Sequence, residues 1–455
     1  MFAKINFHDE FYQKLKLLVL PITMQQFMLA LVSATDAIML GAVSQTSLSA
    51  VSLAGQIQFV LNLFISGISA GSGIMAAQYW GKKDAASIEE VMPIALRTNL
   101  IFSGAFTVFA AVAPEVLMRI FTSDPALIES GAVYLRAVSL SYLLCGISQI
   151  YLILLKNTGY ATVSSRISCT AVVVNIICNA ILIYGLLGLP ALGIQGAAYA
   201  TVTARLVELV WSYLETKQSG RVQIIWKKMF HAADAVLTKD FWRYTTPVLG
   251  AALVWGIAYV SYSVIMGHMG SDAVAANSIT TIAKNMLSCL IRGVSGGAGV
   301  LIGNLLGAGE LDKAKVYGGR LTRMAIVVGM TTGGLLMLIS PLIVRFAPLS
   351  ETAAEYLQYM LIFCGCNIMA QSVNTTVLDG IFCAGGDSKF DMKGNLGAMW
   401  CFSVPFGFFA AFVLKWPVMV VYCIVNLDEI VKIPAVYLHY KKYIWVRNIT
   451  VQEDA

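Results

Sequence analysis

Asp36 is the only Asp, Glu, Lys or Arg between Leu17 and Gly81. A carboxyl in the middle of an apolar run long enough to cross a bilayer costs roughly 2.5–3.5 kcal/mol to insert. Such a group lines a bundle interior or a watery cavity, where it can exchange a proton or hold a cation together with neighbouring oxygens. The oxygen partners expected for it are Asn175 and Asn179, which stand four apart on one face of a helix. Other intramembrane charges cluster later: Arg205 with Glu208, Lys284 with Arg292, Asp379, and the triplet Asp428, Glu429 and Lys432. Structural ion pairs would account for many of these. Their number in the second half, with Tyr262, nevertheless points to a secondary polar cavity, for which Glu208, Tyr262, Lys284, Arg292, Asp379 and Glu429 are the candidate lining residues. Pro21 and Pro247 each remove a backbone hydrogen bond early in a long apolar helix, which marks two candidate hinges.

The elements that must position these groups are membrane helices. Of 455 residues, 58% are hydrophobic and 12% charged, and the mean hydropathy is +0.74. A water-soluble domain carries about 25% charged residues. The runs are long and continuous, not short and alternating, which excludes a β-barrel. Windows of about 20 apolar residues predict twelve spans, at 16–42, 48–79, 89–120, 127–155, 163–188, 193–215, 242–268, 274–305, 315–345, 351–383, 392–414 and 416–440. Lys and Arg concentrate in alternate loops, including Lys82–Lys83, Lys227–Lys228 and Lys389 with Lys393. The positive-inside bias therefore places both termini in the cytoplasm. No removable signal peptide is expected at the N-terminus, whose first basic residue is Lys4.

The chain is also duplicated. Pro21 and Pro247, Gly41 and Gly267, Gly67 and Gly293, Gly71 and Gly297, Gly81 and Gly307, and Gly159 and Gly385 are each separated by 226 positions. In this register Asp36 pairs with Tyr262, so the acid is present in one copy only. The expected organisation is an N-lobe over residues 1–215, a basic cytoplasmic linker over 216–238 with an amphipathic piece Ile224–Phe230, and a C-lobe with its tail over 239–455. Two copies of six helices share an orientation in the membrane, the plan of an alternating-access transporter.

Several classes are excluded. There is no GxxxxGK[ST] loop for ATP, and the glycines of Gly293–Gly299 lie in an apolar helix, not after a strand. Nine cysteines, an odd number lying almost wholly in apolar runs, do not form a disulfide framework. Four histidines without paired Cys/His spacing offer no metal site. The expectation is a protein that is not an enzyme, uses no cofactor, binds no nucleic acid and works as a monomer.

The sequence resembles the MATE (multidrug and toxic compound extrusion) transporters of bacterial type over nearly its whole length. The motifs that carry the resemblance are Pro21-Ile-Thr, Thr35-Asp36-Ala-Ile-Met-Leu-Gly41, Ala76-Ala-Gln78-Tyr-Trp-Gly81, Asn175-x3-Asn179-x2-Leu182-Ile183-Tyr184-Gly185, Pro190-Ala-Leu-Gly193-Ile-Gln-Gly196, Ala275-Ala276-Asn277 and Trp400 with Pro405. The resemblance implies twelve helices in two pseudo-symmetric lobes and export of organic, often cationic, drugs from a bacterial inner membrane in exchange for H⁺ or Na⁺. It implies that Asp36 is the coupling acid and Asn175 a cation-site residue. Asn179 stands where several relatives carry Asp. Trp255 and Val373 stand where one branch has acids, so that branch's sodium site does not carry over. The alternative within the wider superfamily is a lipid-linked oligosaccharide flippase.

Overall fold

The computed structural model describes residues 9–229, 234–347 and 349–451, so Lys4 and Phe230 lie outside the described residues. No strand occurs among those described. The helices are α1 (Glu10–Val43), α2 (Gln45–Gly81), α3 (Ala85–Val112), α4 (Pro114–Arg119), α5 (Pro125–Asn157), α6 (Ala161–Tyr184), α7 (Ile194–Thr216), α8 (Ala235–Gly267), α9 (Ser271–Gly307), α10 (Leu311–Phe346), α11 (Glu351–Thr375), α12 (Ser388–Asn395), α13 (Val404–Phe408), α14 (Val418–Val425) and α15 (Asp428–Tyr440).

These amount to the twelve expected membrane-spanning helices. Ten are long and apolar enough to qualify individually among the described residues. The sixth, α7, carries Arg205 and Glu208 in mid-helix. The twelfth is interrupted between Val425 and Asp428, where α14 gives way to α15. The third predicted span, 89–120, breaks at Ala113, because Pro114 has no N–H for a continuing helix and instead starts α4. The amphipathic piece of the central connection contains only a short 3₁₀ turn, Trp226–Met229.

Local signals set many ends. Asp84 caps α3 by accepting from the Ser87 amide at 3.1 Å, and Ser350 caps α11 by accepting from the Ala353 amide at 3.2 Å. Gly185 ends α6 in the left-handed region at φ 71°, where a Cβ would also meet the Leu189 carbonyl.

The duplication is preserved in the element bounds. α2 and α9 begin and end 226 positions apart, and the starts of α3 and α10 and of α5 and α11 keep the same offset. The copies diverge after that. α5 and α6 run as regular helices, whereas their second-copy counterparts contain π-helical turns at Thr376–Phe382, Leu396–Ser403 and Phe409–Val413. Such turns are rare and often stand at functional positions.

Two compact units follow. The first comprises Met24–Trp80 and Asp84–Leu249; the second comprises Met1–Thr23, Gly81–Lys83 and Gly250–Ala455. The chain changes unit after Thr23 and after Leu249, in each case two residues beyond a hinge-candidate proline. In the first unit, the early part of α8 packs on α2: a Cβ on Gly67 would stand 2.8 Å from Leu249 Cα, and one on Gly71 2.7 Å from Thr245 Cα. In the second unit, the early part of α1 packs on α9 through the register mates. Gly293 meets Thr23, and Gly297 meets Val19. The aligned glycines are therefore close-approach positions, where a side chain would push two backbones apart. The first unit buries Leu40, Leu61, Leu135, Tyr142 and Ile183 together. The second buries Phe11, Leu306, Tyr317, Phe382 and Trp445 together.

Candidate functional site: the Asp36 cluster

Within the first unit, α1, α6 and α7 bring a polar chain together. Asn179 donates its amide to Asp36 Oδ1 at 2.5 Å and to Asn175 Oδ1 at 3.2 Å. Asn175 in turn donates to Thr201 Oγ1 at 3.5 Å, and the Thr201 hydroxyl donates to the Ala197 carbonyl at 3.0 Å. Asn175 and Asn179 are buried at 5% and 1% exposure, and Asp36 is half-buried. The Asn179 Oδ1 is enclosed without a hydrogen-bond partner. Tyr134 and Tyr142 belong to the apolar cluster that includes Leu40, one turn beyond Asp36.

The helical period explains the convergence. Asn175 and Asn179 share a face of α6, and Thr201 lies seven residues before Glu208 on α7. The donor set is one carboxylate with amide and hydroxyl oxygens, all hard ligands. It suits a proton on Asp36 or a small cation held among these oxygens. The unsatisfied Asn179 Oδ1 is an acceptor that a protonated carboxyl could donate to or a cation could take as a ligand. No group of three or more His, Cys, Asp or Glu capable of holding a metal occurs among the described residues.

One stretch of the same α6 face carries a second polar chain. Gln25, eleven residues before Asp36, donates to Ser168 Oγ at 2.8 Å. The Ser168 hydroxyl donates to Glu208 at 3.4 Å, and Arg205 pairs with Glu208 at 2.6 Å. Glu208 is thus an ion-paired residue of the first unit.

The remaining cavity candidates lie in the second unit and are not all drawn together. Glu429 joins a dense network with Lys432, Asp428 and Asn374. Tyr262 keeps its hydroxyl enclosed beside that of Ser403. Lys284 is half-buried, while Arg292 and Asp379 are exposed, and among the described residues these three make no side-chain hydrogen bond or ion pair. Pro21 and Pro247 each sit inside an uninterrupted helix.

Sequence reasoning missed Thr201, Gln25 and Ser168 around the first site, and Asn374, Asp391 and Asn395 around the second. A signal existed for some of them. Asn367, Gln371 and Asn374 recur at four and three residues along the tenth span, a polar face in an apolar helix. Nothing local distinguishes Thr201 from Thr203.

Duplicated membrane helices around an isolated acid define a transporter. The sequence profile of the MatE family matches residues 21–181 and 247–409, and the chain belongs to that family, the MATE transporters. It is 22% identical to the uncharacterized transporter YisQ of Bacillus subtilis (strain 168), covering 91% of this chain and 90% of that protein. It is 24% identical to the probable multidrug resistance protein NorM of Agrobacterium fabrum, covering 76% and 73%. Among solved structures, a MOP superfamily transporter from Pyrococcus furiosus superposes with a TM-score of 0.86 at 18% identity, covering 95% of each chain. A MATE protein solved in complex with MaL6 superposes with a TM-score of 0.85 at 18% identity, covering 95% of this chain and 96% of that one. The chain is thus a multi-pass membrane transporter of the multidrug-efflux family with small-molecule substrates.

Proposed function

We propose that the protein is a secondary-active antiporter that exports organic, often cationic, compounds in exchange for H⁺ or Na⁺. It resides in the bacterial inner membrane with both termini in the cytoplasm, and it works as a monomer without a cofactor. Asp36, Asn175 and Asn179 form the coupling site, and Pro21 and Pro247 are the hinges. The observation that carries this reading is the Asn179–Asp36 hydrogen bond of 2.5 Å beside an enclosed, unpartnered Asn179 Oδ1. Charge added at this point changes the bonds that tie α1 to α6.

The energetic requirement is modest. A site whose occupancy favours one of two conformations by about 1.4 kcal/mol shifts their ratio tenfold. The changes of unit just after Pro21 and Pro247 support a hinge role, since few other positions let a long helix bend. The names of the NorM-type relatives support the substrate class.

The test is ethidium or norfloxacin accumulation in cells lacking their own pumps, with and without an uncoupler. Asp36→Asn is expected to fold and reach the membrane yet lose energy-dependent efflux. Full drug resistance from that variant would remove Asp36 from the coupling role.

A further inference from the structure

The second unit contains a buried network that its own residues leave short of positive charge. Lys432 Nζ lies 3.1 Å from Glu429 Oε1, 3.7 Å from Asp428 Oδ2 and 3.2 Å from Asn395 Oδ1, to which it donates. Asn395 passes its amide to Asp391 Oδ1 at 3.1 Å. Asn374 donates to the Glu429 carbonyl at 2.6 Å and to its carboxylate at 2.8 Å. The side chains of Lys432, Asp428 and Glu429 are only 5%, 8% and 12% exposed, and Asp391 is 5% exposed. Three carboxyls therefore share one ammonium.

Neighbouring elements do not close the deficit. α9 brings Lys284, whose charge acts on Asp428 and Glu429, and Arg292, whose charge acts on Asp379. The π-helical turn Thr376–Phe382 brings Asp379 itself, and α8 brings the neutral phenol of Tyr262. Asp379 and Arg292 are exposed and offset each other, so the buried count is three carboxyls against Lys432 and the half-buried Lys284. Burying a carboxylate without a counter-charge costs several kcal/mol, so the surplus group must acquire one.

A second observation points the same way. Asn374, 1% exposed, presents an enclosed Oδ1 with no partner, and its Nδ2 already touches the Glu429 carboxylate. The two amide heteroatoms share one small planar group, so the orphan acceptor stands at the network. Gln371, one turn earlier on the same helix face, presents an enclosed Oε1 without a partner as well. The network lacks one positive charge, and the Asn374 acceptor beside it lacks a donor or a cation.

We infer that the Asp391–Asn395–Lys432–Glu429–Asp428 network is a binding site for one monovalent positive charge, a proton or a sodium ion, separate from Asp36. A proton would convert one carboxyl to a donor; sodium would use the carboxylate and amide oxygens as ligands. Its use as a second coupling step rests on the antiporter reading, whereas the binding itself does not.

The test uses the full chain carrying Asp36→Asn, purified in detergent, so that the first site contributes no carboxyl. One arm records the infrared carbonyl band of a protonated carboxyl at neutral pH in sodium-free buffer. The other measures radioactive sodium bound at equilibrium. The two arms together are expected to yield one equivalent. Adding either Glu429→Gln or Asp391→Asn removes a carboxyl and is expected to abolish that equivalent; the two variants serve as alternates should one fail to fold. Adding Lys432→Met is expected to raise it to two. The inference is overturned if neither arm registers an equivalent, or if the signal is unchanged by the folded carboxyl variants.

Discussion

The two units handle buried charge in opposite ways. In the first, Asp36 accepts from one neutral partner, Asn179, which is linked in turn to Asn175 and Thr201 on regular helices. In the second, the position in register with Asp36 is Tyr262. The charge has moved to α12 and α15, where Asp391, Asp428 and Glu429 surround Lys432 next to π-helical turns. A lone acid among amides changes the net charge of its surroundings whenever it gains or loses a cation, so its occupancy alters which partners it holds. A crowded network is tied mainly to itself, and losing a member leaves another charge stranded. Duplication has given one fold two electrostatic designs: one suited to respond, the other suited to hold.

That contrast can be broken by substitution. Lys432→Met strands three carboxyls and is expected to destabilise the protein by about 3–5 kcal/mol, read as a fall in thermal midpoint in detergent. Glu208→Gln leaves Arg205 without its 2.6 Å partner in the first unit and should cost about 2–3 kcal/mol, less than Lys432→Met because the Arg205 side chain keeps 22% exposure. Asn179→Leu removes the donor to Asp36. It is expected to cost only about 1–2 kcal/mol in stability but to reduce drug efflux at least tenfold. A stability loss as large as that of Lys432→Met would place the Asp36 cluster with the structural networks and dissolve the contrast. Thr201→Val, at the end of the polar chain, is expected to lower stability by less than about 1 kcal/mol, with a partial loss of efflux.

Much of the architecture was legible in the chain. Long apolar runs locate the helices, and the 226-residue register survives into the matching bounds of α2 and α9. The Asn175–Asn179 spacing puts both on one face of α6, because helical period is a local property, and in the structure Asn179 alone of the two bonds Asp36. What sequence reading missed is set by contacts between distant segments. Asn374 meets Glu429 across 55 residues, and Asn395 meets Lys432 across 37. The π-helical turns were equally hidden, since each depends on packing around an extra residue and leaves little mark on composition. Lys284 and Arg292 share a helix face as their spacing suggests, yet neither finds an ion-pair partner among the described residues. Spacing along one helix does not reveal what faces it.

The most direct measurement is substrate transport in proteoliposomes containing the purified protein, with a pH gradient and a sodium gradient imposed separately. The account predicts that at least one gradient drives uphill movement in the unaltered protein and that neither does so after Asp36→Asn, with the variant still folded. Uphill movement that persists at full rate in the variant, or an unaltered protein that neither gradient drives, would contradict it.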